Sequence, residues 1–474
     1  MKKVNFIIPP TKDRPIERIY GCNYGFFSQH NILMLYPATV LQKEGFEVKI
    51  TDFLVDEVGD FESFIKKDHS EVYVFYSNFL SRELDKKTAK KILKLKKAKI
   101  IFIGSDPSDK PEHYLIDDDM IVIRGESEET ITNLMKKDFK NLDKIKGISY
   151  LKKGKVKHTG FPGIIEDIDK IPFPNRNLYK HPRKYGNTKF QNYPATTILT
   201  SRGCPYRCIF CVPNSLSFAR ELEYKKHHNC KPPLRLRSAE NVIEEFKEIK
   251  KQGYNAVQVL DDMFVWGKER VIKICEEIAP LKLEISILAR ADHLKDEEVI
   301  KSFVKAGIKY VDIGVESFNQ KILDDIRKDV KVKDFYIAIR NLRKYRIEPE
   351  INIVFAGSPL ETRETIKQTL KALKELKVKI VHLNACAPFP GTDFNKLAKE
   401  KGWMITPEYV PIDPNRQSII DYPHLKHDEV EKILNKAWRQ HYLNPIYLFR
   451  SLLEIKSPKE FKNKFITMVN MFLK

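Results

Sequence analysis

TILTSRGCPYRCIFCVPNS, Thr197–Ser215, places three of the chain's seven cysteines, Cys204, Cys208 and Cys211, within eight positions. The run Thr196–Thr200 reads as a β-strand, so the thiols fall on the loop that follows it. Spacings of three and two residues let one loop curl its thiolates around a single centre. A structural zinc site takes four ligands, and most iron–sulfur clusters are held by four cysteines. Spacing alone leaves two readings open. One is zinc completed by His227, His228 or Cys230; the other is a 4Fe–4S cluster on three cysteines, with one iron open to a cofactor or substrate.

Downstream, strand and helix patterns alternate. Ala256–Leu260, Glu284–Leu288, Tyr310–Gly314, Glu350–Phe355 and Ile380–Ala385 read as strands. Ala239–Gln252, Lys268–Ile278, Asp296–Lys305, Gln320–Arg327, Asp334–Tyr345 and Glu361–Glu375 read as helices between them. With Thr196–Thr200 this makes six strands, which predicts a parallel sheet curled into a partial barrel with its chemistry at the carboxyl ends of the strands. Those ends carry LDDMF (Asp261, Asp262), ARAD (Arg290, Asp292), GVES (Glu316, Ser317), AGSPLET (Gly357, Pro359, Glu361) and APFPGT (Pro388, Pro390, Gly391). A zinc ribbon needs no barrel with a decorated rim, so the strand ends favour the cluster. Pro388 and Pro390 read as a rigid turn and Cys275 as a buried residue on a helix face. Cys22, Cys230 and Cys386 receive no assigned role, although Cys386 ends the sixth strand.

Upstream, Val4–Ile8, Glu47–Ile50, Val72–Tyr76, Ile100–Gly104 and Met120–Arg124 read as strands. Ile32–Lys43, Phe61–Lys67, Leu84–Lys97 and Ser127–Lys137 read as helices, which together predict a doubly wound parallel sheet. Ligands of such sheets lie at the carboxyl ends of the strands. The candidate lining is therefore Pro9–Arg14, Ser77–Ser81, Gly104–Asp109 and Gly125–Glu126. No GxGxxG occurs, which argues against a dinucleotide. A hairpin turning at Gly154 and the proline-containing IEDIDKIPFPNRNLY read as a connector. The expected division is 1–140, 141–194, 195–400 and a helical 401–474, with helices at Asp428–Tyr442 and Lys459–Leu473.

CxxxCxxC after the first strand of a partial (β/α)6 barrel, followed by DDMF, GVES and GSPLET, resembles the radical S-adenosylmethionine (SAM) superfamily. The N-terminal sheet with VIRGESEETI, the connector's IEDIDKIPFP and the terminal AWRQHYLNPIYLFRSLL are similar to its cobalamin-binding-domain branch. That branch includes methylases of unactivated carbon and the anaerobic magnesium-protoporphyrin cyclase. The resemblance implies a cobalamin-binding-like Rossmann domain, a radical SAM barrel and a helical tail. It implies that Cys204, Cys208 and Cys211 hold three irons of a 4Fe–4S cluster while SAM chelates the fourth. Reductive cleavage would then give a 5′-deoxyadenosyl radical that functionalises an unactivated C–H bond, most simply by cobalamin-dependent methyl transfer. For SAM it implies Phe210 against the adenine, Asp261 and Asp262 near the methionyl amine, Arg290 at the carboxylate, and Glu316 and Ser317 at the ribose or carboxylate. For cobalamin it implies Ser77, Gly104 and Ser105. The first-strand loop, PPTKDRPIERIYG, lacks the histidine with which some relatives ligate cobalt, and GSDPSD replaces a Gly-Gly-Pro. A low-potential donor such as ferredoxin or flavodoxin would supply the electron.

The sequence has 474 residues, 42% of them hydrophobic and 11% aromatic, which marks a globular chain. Its net charge of +20 is spread along helices such as KKTAKKILKLKKAK, so it reads as a Lys/Glu-rich surface more than as a nucleic-acid footprint. Pro9 and Pro10 interrupt the N-terminal apolar run too early for a signal peptide, and no apolar stretch has the roughly 20 residues of a membrane span. A cytoplasmic protein is expected, where clustered cysteines favour metal over disulfides. Two alternatives stand beside methyl transfer: radical C–C coupling or cyclisation without cobalamin on a lipid or other substrate, and a metal-bearing nucleic-acid-binding protein. The basic C-terminal helices permit contact with a membrane surface.

Overall fold

Two short strands of the N-terminal part, VYVFY (Val72–Tyr76) and MIVI (Met120–Ile123), are buried along their whole length, and only a sheet covered on both faces buries such strands. The computed structural model describes residues 2–11, 15–20, 27–445, 447 and 448. It contains two compact units, Met1–Gly186 with Thr196–Pro205 and Val212–Asn241, and Asn187–Ala195 with Tyr206–Cys211 and Val242–Lys474.

In the first unit, β1 (Lys3–Ile8), β2 (Glu47–Asp52), β3 (Val72–Tyr76), β4 (Lys99–Ile103) and β5 (Met120–Ile123) pair in parallel in the order β2-β1-β3-β4-β5. Helices α1 (Ile32–Lys43), α2 (Phe61–Lys67), α3 (Arg82–Leu95) and α4 (Ser105–Asp109) connect them, and α5 (Glu128–Lys136) follows β5. Every residue of β3 is buried, and Phe75, Phe102, Ile92 and Tyr114 share one core cluster. The order reverses between β1 and β3, which makes their carboxyl ends the switch-point crevice of this doubly wound sheet. The hairpin expected in the connector instead extends this sheet. β6 (Ile148–Lys152) pairs antiparallel with β5, and β7 (Lys155–His158) pairs antiparallel with β6. The tract read as the loop Gly104–Asp109 is largely α4.

β8 (Ala195–Ile198) begins at the last residue of a second-unit segment and continues into the first unit, followed by β9 (Ser201–Arg202). Then comes α6 (Ser215–His228), which hydrophobic periodicity did not announce; Asn214 caps it by accepting from the Ser217 amide. β10 (Arg235–Leu236) pairs antiparallel with β9.

The second unit holds five strands of the partial (β/α)6 barrel. Its strands β11 (Ala256–Val259), β12 (Glu284–Ala289), β13 (Ile308–Glu316), β14 (Glu348–Phe355) and β15 (Ile380–Ala385) run parallel, and the sheet order is β15-β14-β13-β12-β11-β8. Around it stand α7 (Ala239–Lys251), α8 (Lys268–Ile278), α9 (Glu297–Ala306), α10 (Gln320–Asp325), α11 (Val332–Lys344), α12 (Arg363–Leu376), α13 (Asp393–Glu400) and α14 (His427–Tyr442). α12 starts two residues later than periodicity suggests because Thr362 and Thr365 form a capping box. Along β13, Val311, Ile313 and Val315 are fully buried, whereas Tyr310, Asp312 and Gly314 are partly open. This period of two separates a helix-packed outer face from an inner face. The expected helix Lys459–Leu473 lies outside the described residues. Among the described residues no helix is long and apolar enough to cross a membrane.

Candidate active site

The three cysteines lie on a loop that the division into units cuts: Gly203–Pro205 belong to the first unit and Tyr206–Cys211 to the second. In the first unit the approach to Cys204 is fixed by buried charge. Arg202 donates to Glu126 at 2.8 Å and to Glu128 at 2.6 Å, and Arg235 donates to both oxygens of Glu126, one at 3.1 Å. Burial pushes the Glu126 carboxyl up, but Arg202 and Arg235 more than offset it and hold the group below its ordinary range. The acidic partners come from RGESEE at the end of β5, so two motifs read separately in the sequence meet here. Gly203 has φ +99°, its amide donates to Ser217 Oγ at 3.1 Å, and a Cβ there would lie 2.0 Å from Arg220 Nη2. Only glycine fits.

In the second unit the rest of the loop is pinned from three sides. The Arg290 guanidinium stands 3.5 Å over the Tyr206 ring, and the Tyr206 hydroxyl pairs with His293 Nε2 at 2.9 Å. The Ile209 amide donates to the Ile326 carbonyl at 3.2 Å, and the Ile209 carbonyl accepts from Phe394 at 2.9 Å. A turn bond from the Cys211 amide to the Cys208 carbonyl, 3.3 Å, sets the spacing of those two residues. None of the three cysteines is disulfide-bonded, and each is half-buried.

The other expected SAM residues are placed unequally. Phe210 is half-buried between Ile209 and Cys211. Asp261 is fully buried and Asp262 partly so; neither caps α8, whose N-cap is Gly267 without a side-chain bond. Arg290 is committed internally, donating to the carbonyls of Lys328 (3.0 Å) and Asp329 (2.9 Å) and to Asp292 (3.1 Å). Ser317 is fully buried, its hydroxyl 3.3 Å from Thr369 Oγ1 and capping the Asn319 amide, so it does not face the inner surface. Glu316 is different. A register shift between β13 and β14 after Gly314 turns it, at φ +64°, toward Lys328 Nζ at 2.8 Å. A Cβ on Gly314 would come 2.6 Å from Glu316 Oε1 and 2.8 Å from Lys328 Nζ, so the ion pair sits where a side chain would be. Burial lowers the Lys328 ammonium's pKa, but Glu316 and Cys208 together more than offset it and keep it protonated. Sequence reading missed Lys328; its only signal was a lysine in the polar run IRKDVK.

Beyond β14, Glu361 is fully buried. Its carboxylate accepts from the Ala356 amide, and burial pushes the group up to about 8. Burial also pushes up the Cys386 thiol. The zinc candidates are engaged elsewhere: His227 pairs with Glu223 at 3.3 Å, His228 packs 4.2 Å from Tyr224, and Cys230 is exposed.

At the first unit's switch point, Ser77 Oγ donates to Asp85 at 2.6 Å, Ser105 Oγ pairs with Ser215 Oγ at 2.7 Å, and Gly104 lies against the Ser77 carbonyl. Arg18 crosses the end of β3, donating to the Tyr76 carbonyl at 2.6 Å and to both oxygens of Asp85 at 2.8 Å.

Residues 198–383 match the family model of the radical SAM superfamily. This chain contains a radical SAM domain. It is 29% identical over 465 residues to an uncharacterized methyltransferase of Pyrococcus horikoshii, covering 95% of each chain. It is 27% identical over 374 residues to the hopanoid C-3 methylase of Methylococcus capsulatus, covering 75% of this chain and 66% of that one. Among solved structures, the cobalamin-dependent SAM radical enzyme OxsB, with aqua-cobalamin and SAM bound, aligns with a TM-score of 0.72 at 18% identity, over 99% of this chain and 71% of that one. At that identity the likeness establishes the fold.

Among the described residues no three His, Cys, Asp or Glu side chains already surround one point. The radical SAM domain's fit to a cluster therefore rests on donor chemistry. One loop carries three thiols without disulfides, is anchored by backbone bonds on both flanks of Ile209, and has the cation Lys328 beside Cys208.

Proposed function

We propose that this chain is a radical SAM enzyme that activates an unactivated C–H bond, with methyl transfer assisted by cobalamin as its reaction. The observation that carries this reading is the anchored CxxxCxxC loop opening a radical SAM domain, in a chain whose N-terminal sheet has the 2-1-3-4-5 order. Cys204, Cys208 and Cys211 would hold the cluster. When bound, a 4Fe–4S cluster passes one electron to SAM, giving methionine and a radical able to take hydrogen from carbon. The chain's own residues set the stage: Tyr206 and Arg290 hold the loop, the Glu316–Lys328 pair lines the rim beside Cys208, and Glu361 keeps the loop after β14 closed around Ala356. Lys328, with N–H groups beyond the one given to Glu316, is better placed than the committed Arg290 to meet a carboxylate.

Cobalamin, when bound, supplies a transferable methyl group, and relatives that methylate support its presence. Ser77, Gly104 and Ser105 stand at the carboxyl ends of β3 and β4, where it would approach. A specific observation favours a second reading, radical chemistry without cobalamin. Arg18 fills the end of β3, and the hydroxyls of Ser77 and Ser105 are bonded internally. An absorption spectrum of protein produced with cobalamin supplied separates the two; a stoichiometric corrin spectrum is expected, and its absence leaves the second reading. A ferredoxin- or flavodoxin-type reductant would serve either.

The test of the shared reading is spectroscopic. Anaerobically reconstituted protein is expected to hold about four irons per chain and to show a reduced-cluster EPR signal that SAM perturbs. Stoichiometric zinc with no such signal would overturn it.

A further inference from the structure

The inner face of the barrel is hydrophilic well below its rim. Gln258, Asp312, Asn352, His382 and Asn384 occupy partly open inward positions on β11, β13, β14 and β15, with Leu288 on β12 and Val354 on β14 the apolar residues among them, whereas their odd-numbered neighbours are buried against helices. The register places Asn352 beside both Gly314 and His382, and Asn384 beside Val354. Gly314 contributes no side chain to that level, where the Glu316–Lys328 pair stands instead, so the layer is polar there too.

Hydrogen-bond capacity on this face is largely unspent. Asn352 Nδ2 donates to Asp312, and Gln258 Oε1 accepts from Asn187 at 3.3 Å. Among the described residues, the buried Asn384 Oδ1 accepts nothing. The charges do not cancel either. Lys189 binds both oxygens of Glu350, at 3.0 and 2.8 Å, and Lys328 matches Glu316. Lys189, held by Glu350, also acts on Asp312 but does not offset Glu350 and burial, and the side chain bonded to Asp312 is Asn352. Burial, then the neighbouring Glu350, pushes its carboxyl up, and burial keeps His382 neutral.

Hydrocarbon packed here would leave these polar groups without the hydrogen bonds that water gives them, which offsets the gain from burying several methylenes. A donor-bearing molecule meets no such cost.

Building on the radical SAM reading, we propose that the barrel takes a water-soluble, nitrogen-bearing substrate whose N–H or cationic nitrogen is received by Asp312, with Asn352, His382 and Asn384 reading its polar edge. A lipid substrate does not suit this face.

Deuterium transfer tests this without knowledge of the substrate. The reconstituted, reduced protein is given SAM and either the aqueous extract or the lipid extract of cells grown in heavy water. When the radical breaks a substrate C–D bond, the deuterium ends on the 5′-carbon of 5′-deoxyadenosine, the unpaired electron stays on the substrate carbon, and the product gains one mass unit. Deuterated 5′-deoxyadenosine is expected with the aqueous extract. The Asp312→Asn variant, and Asn384→Leu as an isosteric second case, are expected to lower the deuterated fraction about tenfold, the loss of one charge-assisted hydrogen bond. Incorporation from the lipid extract, from neither extract, or undiminished in both variants overturns the proposal. Failure of the radical reading itself looks different: no 5′-deoxyadenosine forms at all.

Discussion

Glu361 and Lys328 show how single buried charges set measurable properties. Glu361 has its carboxyl raised to about 8 by burial, so the folded protein holds a proton that the unfolded chain releases above its ordinary carboxylate range. The folded state binds more protons, and its stability must fall as pH rises toward 8, by roughly 1.4 kcal/mol per pH unit from this group. Glu361→Gln is expected to flatten that decline, visible as a higher melting temperature than wild type at pH 8.5 and a much smaller difference at pH 5.5. Lys328 and Glu316 form a pair with its positive end toward Cys208. Removing the ammonium in Lys328→Met is expected to move the cluster's midpoint potential to more negative values, and Glu316→Gln to move it the other way. An EPR-monitored redox titration without SAM reads both, and shifts of the same sign would contradict the pairing. Neither residue's role was legible in the sequence. Glu361 reads as the first residue of a helix until the capping box at Thr362 is seen, and Lys328 is one of many lysines until Gly314 shows where its amine rests.

At the scale of elements, the strands were legible because their apolar residues follow a period of two or run unbroken. The CxxxCxxC loop was legible because nothing else in the chain concentrates thiols. What escaped was set by non-local pairing. The Gly154 hairpin has a connector's composition, and only its backbone bonding to β5 makes it sheet. Arg202 lies two residues before Cys204 yet reads as loop until Glu126 and Glu128 are placed opposite it. Removing one partner from a buried ion pair costs about 3–5 kcal/mol, because the other charge is left unpaired. Arg202→Met is therefore expected to lower the melting temperature sharply and to reduce iron retained on reconstitution. Stability and iron content both unchanged would show that this cluster does not hold the approach to Cys204. Ser317, by contrast, reads as a rim residue and is a buried cap, because the strand it ends runs on through Glu316.

For the whole molecule, alternation of strands and helices foretold both sheets, and the observed orders, 2-1-3-4-5 in one and five parallel strands, β11 to β15, in the other, place two carboxyl-end surfaces in one chain. The net charge of +20 contributes nothing specific to this picture; its lysines pair along helix surfaces, as Lys344 does with Glu297 and Lys268 with Asp296 and Glu298. The central claim is that three cysteines in one loop make this a SAM-cleaving enzyme. It is tested most directly by incubating anaerobically reconstituted protein with SAM and a strong reductant and measuring 5′-deoxyadenosine. Wild type and Cys275→Ala are expected to form it, and Cys204→Ala, Cys208→Ala and Cys211→Ala are not; product absent from iron-loaded wild type, or undiminished in the three loop variants, would contradict the claim.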